Sequence, residues 1–315
     1  MTVPAGLPAS VTIRDVGPRD GLQPEEPVPV ADRVRLIEEL VAAGLGHVEV
    51  AAFVSPKAVP AMAGAAEVVA AVPARPGLVR AALVPNRRGA EGAVAADVDE
   101  ITVTISASET YNQRNVKMST ADSEVAIGEI VAVAGSAREG RGIGVDAVVS
   151  CAFGSPYEGE IEPLEVAALG RRLLSAGVTT VTLADTTGMA TPRRVHEVLD
   201  ACAAESASLA PERLGLHLHD TRGTALVNAY AGLQRGVCRF DTAVGGLGGS
   251  PFAHGAGGNL ATEGLVAMLD DLGIATGIDL GGLLVAARTI EQLVGRPVPS
   301  PVAHHGPRAA AYDGA

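Results

Sequence analysis

Short apolar, β-branched runs recur along the chain, separated by longer stretches in which apolar residues return at helical spacing. The eight runs are VTIRDV from 11, HVEVAAF from 47, LVRAALV from 78, EITVTIS from 100, IGVDAVVSCAF from 143, TTVTLAD from 179, LGLHLHD from 214 and CRFDTAV from 238. Bounded runs of this kind read as strands. Between the first two, ADRVRLIEELVAAG sets Val34, Leu36, Ile37, Leu40 and Val41 on one helical face, and Gly44 marks the end. Eight alternations of strand and helix predict an α/β fold of the (β/α)8 TIM barrel type rather than an open doubly wound sheet. No Ser/Pro/Gly-rich linker divides the chain, so residues 1–315 are expected to form a single catalytic domain, with a core at about 11–300 and a Pro-, Ala- and Gly-rich tail, 301–315, that frays.

Composition narrows the function classes. The chain carries 24 basic and 36 acidic residues, net −12, and its only lysines are Lys57 and Lys117. No broad basic surface for nucleic acid or anionic lipid is expected, so an anionic ligand must meet individually placed arginines. Cys151, Cys202 and Cys238 form neither a CxxC pair nor an even set, which fits buried apolar cysteines in a reducing cytoplasm. The start lacks a basic segment followed by an apolar core, and apolar stretches are interrupted well short of a membrane span. There is no Gly-Lys dipeptide and no G-x-G-x-x-G in register, so neither of those phosphate cradles is expected.

In a barrel of this kind, chemistry gathers where strands end and βα-loops begin, on the C-terminal face. His217 and His219 in HLHD are two residues apart on strand seven, so both point into the barrel and can reach one ion. Taken alone, such a pair also suits two structural histidines. Arg19 and Asp20, bracketed by Pro18 and Gly21 in DVGPRDGLQ, are expected in a turn at the same mouth, either as a surface ion pair or as part of the site. With Asn259 they make a mixed oxygen and nitrogen donor set that suits Mg²⁺ or Mn²⁺ better than a closed zinc site. Glu49 shares its strand face with His47 and needs a partner, for which Arg19 is the candidate; a structural buried pair is the alternative. Asp185 and Asn115 follow strands six and four as further rim candidates. The stretch GGLGGSPFAHGAGGN, 245–259, sets Ser250, His254 and Asn259 among glycines and reads as a lid with glycine hinges.

These motifs carry a resemblance. VGPRDGLQ, FVSPKAVPAM, SPYEGEIEP, ADTTGMATP, HLHDTRGTALVNAYAGLQRGV and GGLGGSPFAHGAGGNLATEGLVAMLDDLGI, spread in order over about 11–300, resemble the 3-hydroxy-3-methylglutaryl-CoA lyase family of the DRE-TIM metallolyases. The resemblance implies cleavage of a 3-hydroxyacyl-CoA thioester to acetyl-CoA and a keto acid, with a divalent metal (Mg or Mn) and a homodimeric assembly. It makes Asp20, His217, His219 and Asn259 metal ligands, His217 also catalytic, Arg19 the cation facing the enolate oxygen, and Glu49 its supporting carboxylate. Gln23, Asn115, Thr182 and Asp185 fall at matching positions near the bound acyl-CoA.

The chain departs from the family's pattern at the lid, which normally reads Gly-Gly-Cys-Pro where this sequence has Ser250. A thiol, with pKa near ~8.5, shuttles a proton at neutral pH far better than an alkyl hydroxyl. His254 or a water is the candidate replacement acid, against the alternative of a solvent-exposed loop histidine. Glu26 stands where lysine is usual, and Ala51 and Ala52 bring no hydroxyl to the acyl pocket. Two other functions compete: a Claisen-type condensing enzyme or aldolase on the same scaffold, whose lids typically carry a Gly-Glu-Arg pattern absent here, and a catalytically impaired homologue.

Overall fold

The computed structural model describes residues 3–137, 142–249 and 257–308. Eight parallel strands close into a barrel in sequence order: β1 (Thr12–Asp15), β2 (His47–Ala52), β3 (Val79–Leu83), β4 (Glu100–Ser106), β5 (Gly144–Ser150), β6 (Thr180–Asp185), β7 (Leu214–Leu218) and β8 (Arg239–Thr242). Closure is made by β1 on β8, with Thr12 opposite Arg239 and Asp15 opposite Thr242. Each strand falls within one of the predicted runs, whose helix-facing positions are mostly apolar while several barrel-facing positions are polar or charged.

The first helix, α1 (Val30–Ala42), buries Leu36, Ile37 and Leu40. It ends in a Schellman motif, in which Leu45 N–H donates to Leu40 O and Gly44 N–H to Val41 O. Gly44 takes φ +98°, and a Cβ there would stand 2.4 Å from Gly277 O, so both conformation and space demand glycine. Later helices start on side-chain caps: Ser108 for α2 (Glu109–Asn115), Ser119 for α3 (Thr120–Gly135) and Thr191 for α4 (Pro192–Glu205). The aliphatic core fills the layer between strands and helices, while the barrel interior is strongly polar.

Two expectations need correction. The tail is not wholly frayed: α5 (Pro301–His305) forms on a Ser300 cap, and His304 Nε2 lies 2.7 Å from Val298 O; residues 309–315 lie outside the described residues. The Arg19–Asp20 segment is not a simple four-residue turn. Gly17–Gly21 forms a π-helical turn, with Gly21 N–H donating to Val16 O and Leu22 N–H to Gly17 O. The wider i→i+5 ring accommodates Pro18 near its start, and such turns recur at functional sites.

Candidate active site

The π turn leaves β1 at the C-terminal mouth and carries Arg19 and Asp20 over the barrel. Glu49 rises from β2 beside a register irregularity between Glu49 and Ala51. Its Oε2 accepts from Arg19 Nε at 2.5 Å and also faces Arg19 Nη2, while Arg19 Nη1 donates to Asp20 Oδ1 at 2.7 Å. The guanidinium is thereby fixed along two edges, in the fork geometry that suits arginine and not lysine. Glu49 is fully buried and Arg19 nearly so, and Glu49 Oε1 accepts no hydrogen bond among the described residues. The anticipated Arg19–Glu49 pair therefore forms; His47 on the same strand face instead meets Glu100 at 2.9 Å.

On β7 and just past it, alternation brings His217 and His219 together as expected, with their Nε2 atoms 3.2 Å apart. Asp20, His217 and His219 each offer one ligand atom, all within 4.8 Å of one another. Two ligand atoms each about 2.1 Å from one octahedral ion, at right angles, stand about 3 Å apart, so this spacing suits adjacent metal ligands. Each ring is anchored from behind: His217 Nδ1 lies 3.2 Å from Asp241 Oδ2, and His219 Nδ1 lies 2.9 Å from Gly257 O. Such partners fix the tautomer and aim Nε2 inward. Burial and its neighbour His217 push His219 down to about 4. Burial also pushes His217 down, but the hydrogen bond and charge of Asp241, with Asp20, outweigh it and leave His217 raised. Burial pushes the Asp20 carboxyl up, yet Arg19 and the two histidines hold it below its ordinary value.

Asn259 completes the cluster from the far side of the glycine-rich loop. Its Nδ2 donates to Asp20 Oδ2 at 2.8 Å and to Leu247 O at 2.9 Å, and its buried Oδ1 has no partner among the described residues. An unpartnered buried carbonyl beside a carboxylate and two imidazole nitrogens is the donor set of a divalent cation, and the residues fit such an ion.

The glycines flanking the loop allow close approach. A Cβ on Gly248, at φ +103°, would lie 2.4 Å from Asn259 Nδ2, and one on Gly258 would lie 1.9 Å from Gly246 O. Ser250 and His254 lie outside the described residues.

Four residues expected near substrate divide. Asp185, at the end of β6, accepts from Ala190 N–H through Oδ1, while its buried Oδ2 is unpartnered among the described residues; burial raises it to about 6. Asn115 ends α2 half-buried, and Gln23 sits half-buried in the turn after Gly21. Thr182 does not belong to the mouth. It lies deeper in β6, and its hydroxyl is committed to both oxygens of Asp146 at 3.1 and 3.0 Å, so it is a structural partner of the barrel interior. The Cys151 thiol, just past β5, is pushed up to about 12 by burial and is a poor proton donor at neutral pH.

Sequence reasoning missed the layer beneath the cluster. Arg14, Glu100, Asp146 and Asp241 are joined there, and Asp241 links that layer to His217. A charged residue inside each of four barrel strands was the available signal.

Comparison with known proteins gives the family and the fold. The HMGL-like family model matches residues 10–290. A Pseudomonas aeruginosa protein named 3-hydroxy-3-isohexenylglutaryl-CoA/hydroxy-methylglutaryl-CoA lyase is 44% identical over 291 residues, covering 92% of this chain and 95% of its own. The human mitochondrial hydroxymethylglutaryl-CoA lyase is 43% identical over 300 residues, covering 94% and 90%. Among solved structures, an HMG-CoA lyase from Acinetobacter baumannii in complex with coenzyme A and 3-methylmalate superposes with TM-score 0.91 at 38% identity, covering 100% of both chains. A carboxyl transferase domain of Rhizobium etli pyruvate carboxylase, at 16% identity and TM-score 0.67, shares the fold alone.

Proposed function

This chain belongs to the HMGL-like family, and from that premise we propose that it is a divalent-metal-dependent carbon–carbon lyase acting on 3-hydroxy-3-methylglutaryl-CoA or a closely similar thioester. The observation that carries the reading is the convergence of Asp20, His217 and His219 with the unpartnered Asn259 carbonyl beside a pinned Arg19. Named relatives at 41–44% identity over nearly the whole chain support the same activity. Mg²⁺ or Mn²⁺ is the proposed ion, from the mixed oxygen and nitrogen donor set. The proposal includes the homodimer and the cytoplasmic setting; sedimentation of the purified protein tests the first.

Asp20, His217, His219 and Asn259 would hold the ion. When bound it supplies Lewis-acid polarisation that makes the substrate's tertiary hydroxyl easier to deprotonate. Asp185, with an oxygen unpartnered among the described residues and a carboxyl raised to about 6, is the base proposed for that proton. Collapse of the alkoxide to a ketone breaks the bond to the carbon next to the thioester and leaves the electron pair there as an enolate. Arg19, held by Glu49 and Asp20, is the fixed positive charge opposite the enolate oxygen. Protonation of the enolate carbon then gives acetyl-CoA, and we assign this to the loop carrying Ser250 and His254, with His254 or a water as the acid.

The test is product analysis after incubation with 3-hydroxy-3-methylglutaryl-CoA and Mg²⁺ or Mn²⁺, comparing wild type, Ser250→Cys and His254→Ala. Acetyl-CoA and acetoacetate from wild type, reduced in His254→Ala, support lyase chemistry with an alternative acid. Products only from Ser250→Cys mean that the protein binds this substrate but needs a thiol to turn it over. Silence from all three sinks the reading and favours condensation or another acyl group.

A further inference from the structure

We propose that Arg14, which touches none of the four candidate ligands, is a positioning residue that sets the metal affinity of the site by locking the Asp241 carboxylate against His217. This rests on the reading of Asp20, His217, His219 and Asn259 as a metal site.

Arg14 is buried on β1, and all of its fork is engaged. Nε donates to Asp241 Oδ1 at 2.8 Å and Nη2 to Asp241 Oδ2 at 2.7 Å, so both oxygens of one carboxylate are gripped. Nη2 also donates to Asp146 Oδ2 at 2.8 Å, and Nη1 to Glu100 Oε1 at 3.1 Å and Thr102 Oγ1 at 3.3 Å. These partners are themselves held. Thr180 donates to Asp146 at 2.6 Å, and His47 stands 2.9 Å from Glu100. The guanidinium is thus fixed from β4, β5 and β8 at once.

A carboxylate held by both oxygens cannot turn about its last bond. Asp241 Oδ2 therefore faces His217 Nδ1 in one orientation, at 3.2 Å, and the ring presents Nε2 to His219 Nε2 and Asp20. The two imidazoles differ in this respect. His219 leans on a backbone carbonyl, Gly257 O, whereas the orientation of His217 depends on a side chain that Arg14 controls from the layer below. Lysine in place of Arg14 would keep a positive charge but lose the planar fork that grips both oxygens.

The experiment is Mn²⁺ titration of EDTA-stripped wild type, Arg14→Met and Arg14→Lys by calorimetry, with ¹⁵N NMR of the imidazoles in the metal-free proteins at alkaline pH. The expected result is a Kd ~10- to 100-fold weaker in Arg14→Met, the range for loss of an outer partner of a ligating histidine, an intermediate loss in Arg14→Lys, and mixed His217 tautomers replacing a single Nδ1–H form. A folded Arg14→Met that binds Mn²⁺ within about twofold of wild type and keeps one tautomer overturns the inference. If Arg14→Met does not fold, Arg14→Lys decides: weakened binding with mixed tautomers supports the inference, and wild-type behaviour overturns it. Wild-type protein that binds no Mn²⁺ overturns the metal-site reading itself, and this inference with it.

Discussion

Asn259 donates its side-chain N–H to Asp20 Oδ2 at 2.8 Å, joining the turn after the first strand to the end of the loop after the last, 239 residues apart. The bond closes the ring of donors at the mouth and leaves Asn259 Oδ1 without a partner among the described residues. Asn259→Ala removes both the restraint on Asp20 and the carbonyl. We expect Mn²⁺ affinity to fall ~10-fold or more while the melting temperature changes little; calorimetric titration checks the first and a thermal melt the second.

Gly248 tests whether the loop's flank needs space or only backbone freedom. At Gly248 a Cβ would press on Asn259 Nδ2, whereas at Gly77, with φ +82°, a Cβ meets nothing within 4 Å. Gly77→Ala should cost only the left-handed backbone penalty of about 1–2 kcal/mol with full turnover. Gly248→Ala should lose kcat, because Asn259 must leave Asp20, and stability, because a Cβ at φ +103° is forced against Asn259 Nδ2. Equal kinetics in the two variants would refute the packing explanation.

Arg19→Lys keeps a charge against the fully buried Glu49 but cannot meet Glu49 and Asp20 along two edges. A donor aimed at a developing oxyanion is typically worth about 10²–10³ in kcat. Steady-state kinetics should show a fall of that order in kcat with a smaller change in KM. Arg19→Met should fold poorly as well, since leaving a buried carboxylate without its partner costs about 3–5 kcal/mol.

Burial raises Asp185 to about 6 from its ordinary 3.8. The folded protein therefore holds this proton more tightly than the unfolded chain. Its contribution to stability is fully present below pH ~4 and is lost as pH rises through ~6, a difference of about 3 kcal/mol between those limits. Asp185→Asn lacks this dependence. Comparing melting temperatures of metal-free wild type and Asp185→Asn at pH 4.5 and 7.5, the variant should gain on wild type at the higher pH; a constant gap would contradict the raised value.

The barrel was legible because short β-branched, apolar-rich runs alternate with amphipathic helices, a pattern local enough to read in short windows. His217 and His219 were legible for a similar reason, since alternation alone puts them on one side of β7. The layer below was not. Arg14 meets Glu100, Asp146 and Asp241 at separations of 86, 132 and 227 residues, and nothing local to VTIRDV says which acids face it. Thr182 misled because alternation gives its side of the strand but not its depth, and depth decides between substrate and Asp146. In the glycine-rich loop composition suggested flexibility but did not show that, at Gly248 and Gly258, the space beside the backbone is already filled.

The most direct measurement of the central claim is turnover of 3-hydroxy-3-methylglutaryl-CoA by EDTA-stripped protein as Mn²⁺ or Mg²⁺ is returned, in wild type and in Asp20→Ala. The account predicts no acetyl-CoA from the stripped enzyme, recovery that saturates near one ion per chain, and no recovery in Asp20→Ala. Undiminished cleavage by the stripped protein, or equal recovery in Asp20→Ala, would contradict a metal centre built on Asp20, His217, His219 and Asn259.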